Sequence, residues 1–171
     1  MPTHAAPRLR PPRHRVDPRA RRWWTAQAVT VTGGPVLVAV ALLVLAALFF
    51  PGTLVWLGPL VLVVLLLPAL AYVLVMPGWR YRVHAWELGG GAVYAASGWF
   101  WQRRRIAPLS RVQTVDTVRG PLQQRFGVAT VVVTTASTAG DVKIAGLSDA
   151  DAEELARLIG EAAQAVPGDA T

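Results

Sequence analysis

The chain has 171 residues, no cysteine, a net charge of +7 and a mean hydropathy of +0.40. Without thiols, disulfides, thiol catalysis and thiolate metal sites are excluded, and 53% apolar against 16% charged residues is a membrane-type balance. Sixteen of the seventeen Lys and Arg are arginine and asparagine is absent, a bias of GC-rich bacterial coding that also removes any N-glycosylation acceptor.

Residues 1–28 read as a basic cytoplasmic tail. Arg8, Arg10, Arg13, Arg15, Arg19, Arg21 and Arg22 stand there against Asp17 alone. Next to an anionic leaflet each arginine contributes roughly 1 kcal/mol of attraction, and Trp23 and Trp24 sit where interfacial aromatics belong. Arg19, Arg21, Arg22, Trp23 and Trp24 are therefore candidate headgroup contacts. The plainer reading is a disordered topology determinant. Nucleic acid is not an expected partner, because no nucleic-acid module accompanies the arginines.

From Trp23 to Trp79 there is no Asp, Glu, Lys, Arg or His. A span needs about 20 apolar residues, and Val29–Phe50 and Leu54–Met76 supply two, joined at Pro51-Gly52-Thr53. Lipid cannot satisfy backbone polar groups, so both are predicted helices in a transmembrane hairpin, with Pro68 kinking the second. Arg80 and Arg82 follow at once, with Trp79 before them, and the intervening turn is uncharged. The positive-inside rule then places both termini in the cytoplasm of a bacterial cell (inner) membrane protein. A cleavable signal peptide fits poorly, since its apolar region runs only about 7–15 residues. Trp79 and Arg80 join the candidate headgroup contacts.

Residues 79–166 read as a cytoplasmic α+β domain, with a short tail at 167–171. Tyr81–Leu88, Ala92–Ser97 and Trp99–Ile106 are predicted strands turning at Gly89-Gly90-Gly91 and Gly98. Pro108-Leu109-Ser110 breaks the third; a turn over Leu109–Val112 leads to a strand from Gln113 to Arg119. Pro121 suits the first position of a single helical turn through Phe126. Val128–Ala136 is a Val/Thr strand, and Val142–Ala145 returns from the turn at 139–141. Ser148, with Asp151 three residues on, opens a helix whose first turn is acidic. Leu155, Leu158, Ile159, Ala162 and Val166 give it an apolar stripe, and Pro167-Gly168 ends it. The sum is six to seven antiparallel strands in a partly closed barrel with one C-terminal helix.

Arg103-Arg104-Arg105-Ile106-Ala107-Pro108-Leu109-Ser110-Arg111-Val112-Gln113, then Gly120-Pro121-Leu122 and Arg125-Phe126-Gly127, followed by a Val/Thr strand and an acid-capped helix, resembles the bacterial PH-like membrane proteins of the YdbS-like family. The resemblance spans Val29 to Val166 and includes the two helices before the domain. It implies a PH-like fold, with Pro108, Leu109, Arg111, Val112, Gln113, Gly120, Pro121, Leu122, Arg125, Phe126 and Gly127 as the motif residues. It also implies a link to envelope maintenance or stress. The glycines and prolines suit turns, and Arg125 has Asp116 or helix-end carbonyls as prospective partners. The basic tail is outside the shared pattern.

Arg103, Arg104 and Arg105 follow Trp99-Phe100-Trp101, and residues 80–147 carry nine basic and three acidic side chains. Successive strand side chains alternate faces, so one of the three arginines must lie at an edge, a bulge or the membrane boundary. These arginines complete the candidate headgroup contacts; the plainer reading puts the aromatics in the core. Catalysis has little support. His4, His14 and His84 have no metal spacing, no Gly-x-Ser-x-Gly elbow or phosphate loop occurs, and neither span is ionisable. The expectation is a non-enzymatic scaffold or adaptor without cofactor, embedded in the bilayer and binding a membrane protein or its own copy. An anionic-lipid sensor and a transport or channel subunit are the alternatives.

Overall fold

The computed structural model describes residues 12–136 and 140–165. Residues 1–11, 137–139 and 166–171, with the expected helix stop at Pro167-Gly168, lie outside the described residues.

Helix α1 runs Arg19–Phe49; the turn at Pro51-Gly52 leads to α2, Thr53–Val61. A π-helical turn over Leu62–Leu66 joins α2 to α3, Leu67–Val83. Pro68 has no N–H, and its ring crowds the carbonyl four residues back, that of Val64; the widened turn there absorbs the conflict that was expected as a kink. The two helical runs are each 31 residues, and both are long and apolar enough to cross a membrane. At 1.5 Å per residue each is about 46 Å long, well over the roughly 30 Å of hydrocarbon. Counting about 20 residues from the turn reaches Thr30 on one helix and Tyr72 on the other. Each helix therefore has turns to spare beyond the length that the hydrocarbon requires.

Those remaining turns correct the expected boundaries. Strand β1, His14–Arg15, pairs antiparallel with β2, Ala85–Gly89. Val16, Ala20 and Trp24 form a buried cluster on which Trp23 and Tyr81 pack. The second half of the supposed tail is therefore part of the folded domain, and the hairpin is an insertion between its first two strands. Likewise Tyr81–Val83 is helix where strand was expected. The helix continues through Pro77-Gly78 because Met76 and Pro77 are buried at its root, which favours an unbroken packed rod.

The domain is two antiparallel sheets. The first has order β1-β2-β3-β4, with β3 Ala92–Ser97 and β4 Arg103–Pro108. The second has order β5-β6-β7, with β5 Val112–Val118, β6 Val128–Thr135 and β7 Val142–Ser148. A 3₁₀ turn at Leu109–Arg111 links them, and α4, Pro121–Phe126, crosses from β5 to β6. Helix α5, Asp149–Ala165, closes the structure; Ser148 Oγ accepts the Asp151 N–H at 3.0 Å, as its sequence position predicts. One core joins both sheets and α5 through Val93, Ala107, Val131, Val133, Ile144 and Leu155. The expected architecture, a helical hairpin with a PH-like domain of six to seven antiparallel strands and a C-terminal helix, is the observed one, with β1 as the seventh strand.

Candidate membrane-interface site

The root of α1 is seated on β7 by a bulge. Ala129 faces Leu147 and Thr130 faces Ala145, leaving Gly146 as the extra residue. Its φ of +88° suits glycine, and a Cβ there would stand 2.6 Å from Ala20 Cβ. The freed carbonyl accepts the Asp17 N–H at 2.9 Å, and Asp17 Oδ1 in turn accepts the Arg19 N–H at 2.7 Å. Trp24, one helical turn on, is fully buried. The Arg80 guanidinium carbon lies 4.9 Å from a Trp24 ring centroid and the His84 ring 4.7 Å from it. Trp24 and Arg80 thus hold the helix roots together; Trp24 is buried, so it is closed to headgroups, while Arg80 stays partly exposed.

His84 is buried at the C-terminus of α3, not half-buried in a strand, and its Nδ1–H donates to the Arg80 carbonyl at 2.8 Å. Burial pushes its pKa down to about 4; the backbone hydrogen bond opposes this, and the nearby Arg80 charge adds to it. The ring is neutral at pH 7.

The β3–β4 connection departs from expectation most. Trp99, Phe100 and Trp101 belong to a loop that precedes β4, and none enters the core. Trp99 meets Tyr72 of α3 edge-on at 5.5 Å between ring centroids. Phe100 and Trp101 are 71% and 77% exposed. These rings lie beside the apolar run of α3, which continues past Tyr72 through Met76. Gly98, at φ +111°, makes the turn that sends the loop there. Trp79 is half exposed on α3 nearby in sequence, while Trp23 is half-buried against Trp24.

Arginines surround this region. Arg19, Arg21 and Arg22 are exposed and line a cavity of about 500 Å³ with Tyr81. Arg103 and Arg104 are exposed on β4, whereas Arg105 is tied back, its guanidinium donating to the Asp141 carbonyl across the seam between sheets. That is the edge placement expected of one member of the triplet. Arg13, Arg15 and Arg82 were not singled out as site residues, yet they share a cavity of about 490 Å³ with Arg103 and Arg104. No local pattern could have shown this, because it is the pairing of β1 with β2 that brings Arg13 and Arg15 beside a strand some seventy residues away.

The motif residues do structural work. Pro108 ends β4, Leu109 is buried, and the Arg111 carbonyl accepts the Ala136 N–H at 3.0 Å. Val112 and Leu122 are half-buried, Gln113 is exposed, and Pro121 opens α4. The Gly120 N–H donates to Gln123 Oε1 at 2.9 Å, and Gln123 Nε2 donates to Thr130 Oγ1 at 2.8 Å. Gln123 was overlooked; as a buried polar side chain satisfied at both ends, it pins α4 to β6. Gly127 ends α4 at φ +63°, beside half-buried Phe126. Arg125 is exposed and takes no ion pair among the described residues; Arg119 instead bridges Asp149 at 3.4 Å and Glu153 at 2.6 Å. No group of three or more His, Cys, Asp or Glu able to hold a metal occurs among the described residues.

Residues 26–163 match the family model described as bacterial PH domain. The chain is also 30% identical over 141 residues, 82% of its own length and 87% of the relative's, to the UPF0699 transmembrane protein YdbS of Bacillus subtilis (strain 168). No solved structure matches it significantly. With two membrane-length helices rooted in a seven-stranded domain, the chain belongs to the bacterial PH-domain family, as a membrane protein of the YdbS-like kind.

Proposed function

We propose that the protein is a non-enzymatic scaffold of the bacterial inner membrane, which holds its PH-like domain at a set height on the cytoplasmic leaflet for a partner membrane protein or a second copy. The observation that carries this reading is the mount. Both helices continue past the hydrocarbon into the domain, burying Trp24, Met76 and Pro77, so the domain does not hang on a flexible linker. A fixed mount suits presentation of a surface. Strand β5 offers one, as a sheet edge with five of seven residues exposed, and unpaired strand edges accept extended partners. The arginines flanking both spans favour the cytoplasmic side for both termini.

The test is photocrosslinking in native membranes from Gln113 and Asp116 on β5. A discrete adduct with another membrane protein or with a second copy is the expected result. Only uncrosslinked monomer from both positions, with the protein folded, refutes the scaffold reading.

A second reading, contact with anionic lipid, draws on the exposed Phe100 and Trp101 beside Tyr72 and on the free arginines around them. It requires that brominated lipid quench the tryptophan fluorescence of the intact protein more than that of Trp99→Ala/Trp101→Ala. Equal quenching of the two counts against it.

A further inference from the structure

Across the four-stranded sheet, the register aligns Arg15, Ala85, Ala96 and Arg104 in a single row. Directly paired residues of antiparallel strands point to one face, so two arginines stand at the ends of a row whose middle is two methyl groups. With strands about 4.8 Å apart, the outer Cα atoms are roughly 14 Å from each other. The neighbouring row, with Trp86 and Ala95, points to the opposite face and the core. The alanines therefore leave a floor rather than a filled surface, and it lies outside the core.

Three more arginines border this floor: Arg13 ahead of β1, Arg82 from the last turn of α3 and, at its rim, Arg103, which as the neighbour of Arg104 belongs to the opposite face and also lines a second cavity with Asp141. No carboxylate lines the cavity, and among the described residues none of the five takes part in an ion pair. Elsewhere in the domain Arg119 and Arg157 do have carboxylate partners. Five like charges around one space repel each other unless an anion joins them, and guanidinium forks match the oxygens of phosphate.

We propose that this seam is a binding site for a phosphorylated anion, seated on the floor of Ala85 and Ala96 and gripped by Arg15 and Arg104. Two sources share that chemistry, a lipid headgroup and a soluble phosphate compound.

The full chain is placed in nanodiscs of zwitterionic phosphatidylcholine and titrated calorimetrically with inorganic phosphate and with pyrophosphate. In a parallel arm, discs containing phosphatidylglycerol or phosphatidic acid are opened by native mass spectrometry to count retained lipid. Saturable binding of phosphate or pyrophosphate assigns a soluble ligand; retention of anionic lipid alone assigns a headgroup. In either case Arg15→Gln/Arg104→Gln is expected to weaken binding by about tenfold or more, while Arg157→Gln leaves it unchanged. Ala96→Glu, which puts a carboxylate on the floor without touching an arginine, is expected to abolish it. Absence of binding in both arms, or equal binding by wild type and the folded variants, overturns the proposal. No partner protein is present in the discs, so this site and the scaffold reading stand or fall separately.

Discussion

The two sheets use arginine in opposite ways. Beside the second sheet, Arg119 and Arg157 each pair with two carboxylates of α5. On the first sheet, Arg15, Arg103 and Arg104 face a cavity with no carboxylate in its lining. The apolar packing is uneven too, because β6, β7 and α5 supply most of the buried residues while the first sheet offers alanines and a valine. Most of the buried core lies in one half of the domain, and among the described residues the arginines of the other half take no carboxylate partner. Such a division is what a binding surface on a well-anchored frame requires.

The sharpest way to break that contrast is to attack the frame where α1 enters it. Trp24→Ala empties a fully buried site and is expected to cost about 3–5 kcal/mol in denaturant melts of the detergent-solubilised protein. A loss below about 1 kcal/mol would mean that the helix root is not part of the core. Acid is the next probe. His84 has a folded pKa of about 4 against about 6.5 unfolded, so the unfolded chain binds the extra proton between those values. Stability is then full above about pH 6.5 and falls as pH drops toward 4, by on the order of 3 kcal/mol in total. His84→Phe should flatten that slope, and melts at pH 7 and pH 5 compare the two.

Arg119→Ala is expected to cost about 1 kcal/mol or less, with the difference shrinking at high salt, since its partners are exposed. At the small end, Arg104→Gln removes a repelled charge and no described contact. The melting temperature should stay level or rise slightly at low salt. A drop as large as that for Arg119→Ala would erase the contrast between the sheets.

Much of the frame was legible because its signals are local. The strand Ala92–Ser97, the turn opening at Pro121 and the helix cap at Ser148 each follow from residues within a few positions. The hairpin was legible from composition. Strand β1 was not, because two residues between arginines carry no alternation and its partner lies some seventy positions away. The same separation hid Arg13 and Arg15 as neighbours of Arg82. The aromatic loop misled for a different reason: Trp99–Trp101 look like core by composition, yet Trp99 packs on Tyr72 of an apolar helix and Phe100 and Trp101 stay exposed.

The pairing of β1 with β2 also orders the protein's biogenesis. A ribosome completes both apolar helices between making Arg15 and making Ala85, so the first sheet closes only after the hairpin has gone in and come back. If one helix failed to integrate, the two strands would be stranded on opposite sides of the lipid.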